Sequence, residues 1–289
     1  MLVRGAGWVE CKSKGVGVER GAAVGSECGG TSVWRTCALV PRVALGWWLG
    51  VLGAVRRRAA QSCGIIQLRV IAMKGDRILV REHHRRAAHA IAELLRGWIG
   101  EGGLRSVVTI AGESGSGKSE IATALLECLA EEGTNSVVLQ QDDYFVYPPK
   151  TNAEMRRRDI AHVGPSEVRL SELDRELSEF LEGARRIEKP LADFDADKIE
   201  AESVDLGSVD VVIVEGTYTT LLKNAGRRVF IDRTYRDTRE ARLVRGREEQ
   251  DAFLEEVLEI EHGIISSHKA AADIIVGKDY DVEEQHPGG

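Results

Sequence analysis

The sequence predicts an open, mostly parallel α/β sheet with helices on both faces. Three observations carry that reading. Gly112-Glu113-Ser114-Gly115-Ser116-Gly117-Lys118-Ser119 has the spacing G-x-x-x-x-G-K-[ST], between an apolar run, Val107 to Ala111, and good helix formers, Ile121 to Leu126. Val211-Val212-Ile213-Val214 is apolar without alternation, as in a strand buried on both faces. Apolar runs and helix-period segments then alternate along the chain.

The elements follow in order. Ala88, Ile91, Leu94, Leu95 and Trp98 recur at spacings of three and four, which predicts an amphipathic helix over 84–99, ended by Gly100 to Gly103. The first strand covers 107–111, and the helix after the glycine loop runs to residue 131. Ser136 to Gln140 is a second strand, followed by Asp142-Asp143-Tyr144-Phe145 and a loop holding Pro148-Pro149. Val168, Leu170, Leu173, Leu177, Phe180 and Leu181 predict a helix over 167–182. Residues 186–206 alternate weakly around Pro190, so short antiparallel strands over the sheet edge are expected. Val229-Phe230-Ile231 and Ile274-Ile275-Val276 are further strands, with helical stretches at 237–246 and 251–270 between them.

A glycine loop between strand and helix is a phosphate cradle. Glycines let backbone N–H groups point inward without Cβ clashes, and the helix N-terminus adds partial positive charge. The predicted nucleotide-binding set is therefore Gly112, Glu113, Ser114, Gly115, Ser116, Gly117, Lys118 and Ser119. Lys118 would reach the β and γ phosphates of ATP, and Ser119 would ligate Mg²⁺. Ligands of such sheets sit beyond the carboxyl ends of the strands, which groups Lys118, Asp142 and Glu215 in one crevice. Asp142 stands where a general base is wanted, while strand alternation turns Asp143 away. Glu215 ends an apolar strand before Gly216 and is expected to be metal-associated. The plainer reading of each acid is a strand-terminal carboxylate facing solvent or capping a helix.

Arg239, Arg242, Arg245 and Arg247 follow the fourth strand. Arg239 and Arg242 share a helix face and could close as a lid, supplying guanidinium charge to the transferring phosphoryl group. The competing view is an ordinary charged helix face paired with Glu240 and Glu248. His83, His84 and His89 have spacings that suit no common metal site and are expected at the surface. His262 and His268 do not face each other on a helix.

On these residues the chain resembles the uridine kinase and phosphoribulokinase family of P-loop kinases. The likeness covers roughly 105–280 and rests on the glycine loop, Gln141-Asp142-Asp143-Tyr144-Phe145, Val214-Glu215-Gly216, Asp237-Thr238-Arg239 with its arginine row, and Ala272-Asp273-Ile274-Ile275-Val276. The resemblance implies a P-loop NTPase three-layer sandwich with a helical lid. It implies transfer of the γ-phosphate of ATP, with Mg²⁺, to a hydroxyl of a nucleoside or similar metabolite. Asp142, Lys118, Arg239 and Arg242 would be catalytic, Ser119 and Glu215 would hold the metal, and Asp142, Tyr144, Phe145, Glu167 and Arg169 would face the acceptor.

The substrate segments depart from the uridine kinase pattern. The P-x-Y-D-Y-x₂-H type segment is Pro190-Leu191-Ala192-Asp193-Phe194 here, with Ala192 at the Tyr place. The H-P-D-x-[FY]-D segment is replaced by Gly164-Pro165-Ser166-Glu167-Val168. The loop from Asp142 to Pro149 is also similar to that of pantothenate kinase. A pantothenate- or sugar-type kinase, a non-kinase NTPase switch and a catalytically silent binding protein stay as alternatives, although no N-K-x-D or L-S-G-G-Q segment occurs.

Composition bounds the rest. Residues 1–72 carry ten Lys and Arg against three Glu and no Asp, and they hold Cys11, Cys28, Cys37 and Cys63. This segment could be an organelle-targeting extension. It could be a membrane anchor through Val43 to Val55, although 13 residues fall short of the ~18–20 that span a bilayer. The expected reading is a disordered extension or mis-called start, with translation beginning at Met73. Residues 73–289 then form the kinase domain with an N-terminal helix, long enough to bury roughly 70% of the extended chain's surface. A triphosphate-using domain belongs in a reducing, cytoplasmic compartment, so Cys128 is read as a small buried residue. The acidic balance beyond residue 72 and the lack of a basic stripe with aromatics exclude a nucleic-acid partner. Arg156-Arg157-Arg158 is too brief for one and reads as a solvated face or a substrate-facing loop. A small hydroxylated substrate is expected, no membrane partner, and a homo-oligomer is compatible with the sequence.

Overall fold

The structure, a computed structural model, describes residues 69–71, 78–100, 103–246 and 251–285. The readings of residues 1–68, with their cysteines and the Val43–Val55 run, and of Arg247 lie outside the described residues. Among the described residues no helix is long and apolar enough to cross a membrane.

In chain order the elements are β1 (Arg69–Ile71), α1 (Glu82–Leu95), β2 (Ser106–Gly112), α2 (Lys118–Glu131), β3 (Ser136–Gln140), α3 (Pro149–Arg158), α4 (Leu170–Leu181), β4 (Arg186–Asp193) and β5 (Lys198–Asp205). Then follow β6 (Val211–Glu215), β7 (Arg227–Ile231), α5 (Arg239–Arg245), α6 (Ala252–Ile265), β8 (Ile274–Val276) and β9 (Val282–Glu284). One sheet has the order β1-β3-β6-β2-β7-β8-β9, parallel except for β9 against β8, and β4 with β5 makes a separate antiparallel pair.

Both faces of the sheet centre are covered, which is why β2 and β6 read as nearly continuous apolar runs. Val108, Ile110, Ile213 and Ile231 pack with Ile91 and Leu95 of α1 and Leu125 and Leu129 of α2. Val107, Leu139, Val214 and Phe230 pack on the other side with Leu173, Leu177 and Phe180 of α4. The α4 helix starts at Leu170 rather than 167, because Val168 bridges antiparallel to Phe145.

Two elements and one histidine differ from the sequence reading. β1, a strand the sequence reading did not place, pairs in parallel with β3, with Arg69 opposite Val137. Three residues are too few to carry a period. The expected loop after Pro148 is helix α3, with Pro149 in its first turn, where a missing N–H costs nothing. Only Asn152 of that helix is buried, so it has no apolar stripe to read. His84 is buried rather than at the surface; it stands 3.2 Å from the Tyr280 hydroxyl, and burial, with His83 beside it, lowers its pKa to about 4.

The turn after β3 corrects another expectation. Residues 141–144 form one 3₁₀ turn, in which positions three apart eclipse. Asp142 and Phe145 therefore share one side, and Tyr144 turns inward with Gln141. Tyr144 is fully buried and donates to Glu176 Oε2 at 2.6 Å, so it packs the core and does not face an acceptor. Asp143 takes the third side, also fully buried, and accepts from Lys189 Nζ at 2.5 Å and the Ala192 amide at 2.9 Å. Burial raises its pKa against the opposing pull of Lys189.

Two stability experiments follow. Lys189→Met strands a buried carboxylate and should cost about 3–5 kcal/mol in urea unfolding, whereas the exposed Glu188→Gln should stay within about 0.5 kcal/mol. Burial lifts the Glu176 carboxyl from 4.5 to about 7, and its Oε1 has no hydrogen-bond partner. A carboxyl raised on folding favours the native state at low pH, and that contribution disappears as pH climbs through the folded pKa. Stability of the wild type relative to Glu176→Gln should thus fall between pH 4.5 and about 7. Parallel wild-type and variant stability curves across that window would refute the assignment.

Candidate active site

Strand register assembles the site. Glu215, the last residue of β6, lies level with Ile110 of β2 on one side and Gln140 of β3 on the other. The glycine loop begins at Gly112 and the acidic turn reaches Asp142, each two residues beyond that level. Neighbouring strands lie about 4.8 Å apart, so Glu215 emerges between the phosphate loop and Asp142. Gly216 lets the chains after β3 and β6 touch. A Cβ there would meet Gln141 Cβ at 2.3 Å, and Gln141 Oε1 accepts from the Tyr218 amide at 2.7 Å.

One cavity of about 140 Å³ opens at this level. Ser114, Gly115, Lys118 and Ser119 form its loop wall, with Asp142, Phe145, Glu215 and Thr217 from the strand ends. Ser119 Oγ donates to Glu215 Oε1 at 2.9 Å, and Lys118 Nζ donates to the Glu113 carbonyl at 2.9 Å. Helices α5 and α6 cover the cavity: Arg242 comes from α5, and Leu254, Val257, Leu258 and Glu261 form the i, i+3, i+4, i+7 face of α6.

The loop backbone adopts the shape its glycines permit. Gly115 and Gly117 have φ of +73° and +103°, conformations that side chains avoid. Each also leaves no room for a Cβ, which would stand 2.9 Å from Arg242 Cγ at Gly115 and 2.9 Å from the Tyr280 hydroxyl at Gly117. Tyr280 in turn hydrogen-bonds the Ser116 carbonyl at 3.2 Å and accepts from Arg233. Glu113 belongs to the loop by its backbone, but its carboxylate faces elsewhere. It accepts from the Tyr235 amide at 2.5 Å and lies 2.7 Å from His262 Nδ1, tying the loop to α6.

The predicted arginines separate. Arg242 is 4% exposed and donates to the Tyr235 carbonyl and to Thr238 Oγ1, while Thr238 Oγ1 reaches the Ser114 carbonyl at 2.8 Å. Thr238 and Arg242 are four apart, so these two positions face the loop. Arg239 is exposed in the first turn of α5 and lies outside the cavity wall. Arg245 belongs to α5 by its backbone.

Two acceptor-side expectations also change. Glu167 is fully buried and takes four hydrogen bonds, from Arg156 Nε and Nη2, Asn152 Nδ2 and the Gly164 amide, so it supports its neighbours and has no face toward a substrate. Arg169 lies outside the cavity wall, pairing with Glu172 at 3.2 Å and donating to the Phe145 carbonyl at 3.3 Å. Arg156, read from sequence as part of a solvated face or a substrate-facing loop, lines the cavity, as does Glu261, which the sequence reading did not single out, and the two are joined at 3.0 Å. The pairing of Arg156 with Glu167 and Glu261 joins positions 11 and 105 residues apart, which no local pattern signals.

The donor set fits a magnesium ion. A serine hydroxyl and a carboxylate already within hydrogen-bond distance at the cavity wall are hard oxygen ligands, and Mg²⁺ typically takes one or two protein oxygens beside phosphates and water.

Comparison with known proteins agrees with this geometry. Residues 107–234 match the Phosphoribulokinase / Uridine kinase family. The uridine kinase of Leuconostoc citreum is 31% identical over 190 residues, covering 59% of this chain and 86% of that enzyme. The bifunctional alpha-galactosidase/sucrose kinase AgaSK of Mediterraneibacter gnavus is 32% identical over 195 residues, 63% of this chain, and the chain spans 21% of that protein's length. A structure described as a possible uridine kinase from Bacillus stearothermophilus superposes with a TM-score of 0.51 at 17% identity, covering 66% of this chain and 97% of that one, and shows the shared fold. The chain therefore belongs to the phosphoribulokinase and uridine kinase family of P-loop phosphotransferases.

Proposed function

We propose that the chain transfers the γ-phosphoryl group of ATP to a hydroxyl of a small metabolite, a nucleoside or a sugar-like molecule, with Asp142 as general base. One observation supports this above the others: Lys118, Ser119, Asp142, Glu215 and Arg242, from four separate parts of the chain, line one cavity. A nucleotide switch would need the loop and the metal ligands but no carboxylate on the acceptor side.

The roles follow from chemistry. The Gly112–Ser119 backbone N–H groups cradle the phosphates, and Lys118 moves from the Glu113 carbonyl to the β and γ phosphates. Ser119 and Glu215 would hold Mg²⁺, which when bound neutralises phosphate charge and fixes the γ-phosphate. Asp142 accepts the hydroxyl proton as the acceptor oxygen bonds to the γ-phosphorus and the bond to the β-phosphate oxygen breaks, releasing ADP. Arg242 places guanidinium charge on the transferring group. The names of the relatives cover both acceptor kinds, uridine and sucrose. Ala192, at the Tyr place of the uridine kinase segment, uses its amide on Asp143 and offers no ring to an acceptor.

Acceptor-dependent ADP release tests the reading. Lys118→Ala should lower kcat by roughly 10²–10³, through lost charge stabilisation. Asp142→Asn should lower kcat by about 10²–10⁴ and leave ATP affinity within about twofold; wild-type kcat in that variant would end the base assignment. Arg242→Met should lower kcat well beyond Arg239→Met, because only Arg242 lines the cavity, and equal losses would count against this division.

A further inference from the structure

We propose that Tyr280 and His84 are positioning residues of the phosphate loop, fixing the Ser116–Gly117 peptide so that its N–H is preset for a nucleotide phosphate. The proposal rests on the nucleotide-binding part of the reading above and deepens it. Helix α1 and the turn between β8 and β9 become part of the site, although both residues lie outside the family match at 107–234.

The hydrogen-bond directions are forced. Arg233 donates to the Tyr280 hydroxyl, and the Ser116 carbonyl, 3.2 Å away, can only accept, so the hydroxyl proton goes to Ser116. His84 Nε2, 3.2 Å from the same oxygen, then donates to it. The other nitrogen of that ring permits this. His84 Nδ1 accepts from the Arg81 amide at 3.1 Å, which leaves the proton of the neutral imidazole on Nε2. His83 Nε2, 3.1 Å away, is a second acceptor for that proton. Burial above all lowers the His84 pKa to about 4 and raises that of Tyr280, so near neutral pH the ring is uncharged and the hydroxyl keeps its proton.

These bonds act on a rigid unit. In a trans peptide the carbonyl and the N–H point in opposite directions and cannot turn separately. Holding the Ser116 carbonyl on Tyr280 therefore directs the Gly117 N–H away from Tyr280. Neither Tyr280 nor His84 belongs to the cavity wall that Ser114, Gly115, Lys118 and Ser119 form, so both grip the loop from outside. Two features mark the contact as built. Tyr280 has φ of +65°, a region that a bulky side chain avoids, and its amide donates to the Gly277 carbonyl at 3.0 Å to hold the turn. A Cβ on Gly117 would stand 2.9 Å from the Tyr280 hydroxyl and 3.2 Å from His84 Nε2, so the approach leaves no room for a side chain.

Calorimetric titration of the full chain with Mg-ADP, at a temperature where the variants are folded, tests the proposal. Tyr280→Phe keeps the ring and loses the bond to Ser116; its Kd should rise about three- to tenfold, the worth of one hydrogen bond. His84→Asn keeps an acceptor for the Arg81 amide but falls short of Tyr280, and its Kd should rise about threefold or more. The longer His84→Gln restores a donor and should stay within about twofold of the wild type. His89→Gln, exposed on the same helix, should leave the Kd unchanged. If Tyr280→Phe proves unfolded by thermal denaturation, the His84→Asn and His84→Gln pair decides, and an equal rise in both overturns the proposal. A wild-type Kd in Tyr280→Phe and His84→Asn, whatever their Tm, also overturns it and marks the contact as a strut of the fold alone. A wild-type chain that binds no Mg-ADP instead overturns the nucleotide-binding reading, and the proposal with it.

Discussion

The site depends on one constraint, the register of three parallel strands in the order β3-β6-β2. Because β6 lies in the middle, the carboxylate at its end projects between the turn that carries Asp142 and the loop that carries Lys118. A sheet of different order built from the same strands would leave Glu215 beside only one of them. Backbone hydrogen bonds enforce this arrangement, and apolar burial on both faces stabilises it, so the polar residues inherit positions they do not themselves pay for. Gly216 then allows Gln141 to lie across the β6 end, fixing the two acidic strand ends against each other.

Around that fixed centre, charged residues tie the surrounding segments to it. Glu113 joins the glycine loop to the chain after β7 and to α6, Glu167 holds Arg156 and the turn at Gly164, and Lys189 ties the β4–β5 pair to Asp143 next to the proposed base. Each is a buried or half-buried charge with partners on other elements, the situation in which loss of one partner is costly. Arg242 and Glu261 on the covering helices border the same cavity, so ionic as well as apolar contacts hold the cover in place.

Reading the residues alone grouped Lys118, Asp142 and Glu215 in one crevice, and all three line the cavity. The loop spacing announces its phosphate function, and continuous apolar runs announce central strands whose ends carry Asp142 and Glu215. The acceptor side was legible only in fragments. Tyr144 follows an acid at a strand end and reads as a ring facing ligand, but a 3₁₀ turn rotates it into the core toward Glu176. Arg156 sits in a run of three arginines with no apolar period, and nothing nearby announces that it, and not its two neighbours, turns inward to Glu167 and Glu261. Arg239 and Arg242 share a predicted face, yet Thr238 at the helix start takes the loop-facing position one turn before Arg242.

By itself, then, the sequence determined the fold family, the phosphate loop and the two acids at strand ends, because each is written in residues adjacent in the chain and governed by local backbone preferences. Tertiary structure alone decided which arginines reach the cavity, which acid is buried among its neighbours and which lines the cavity, and where the described sheet begins. Those outcomes turn on burial and on partners as many as 149 residues apart, as with Glu113 and His262, and desolvation acts on neighbours in space whatever their order in the chain.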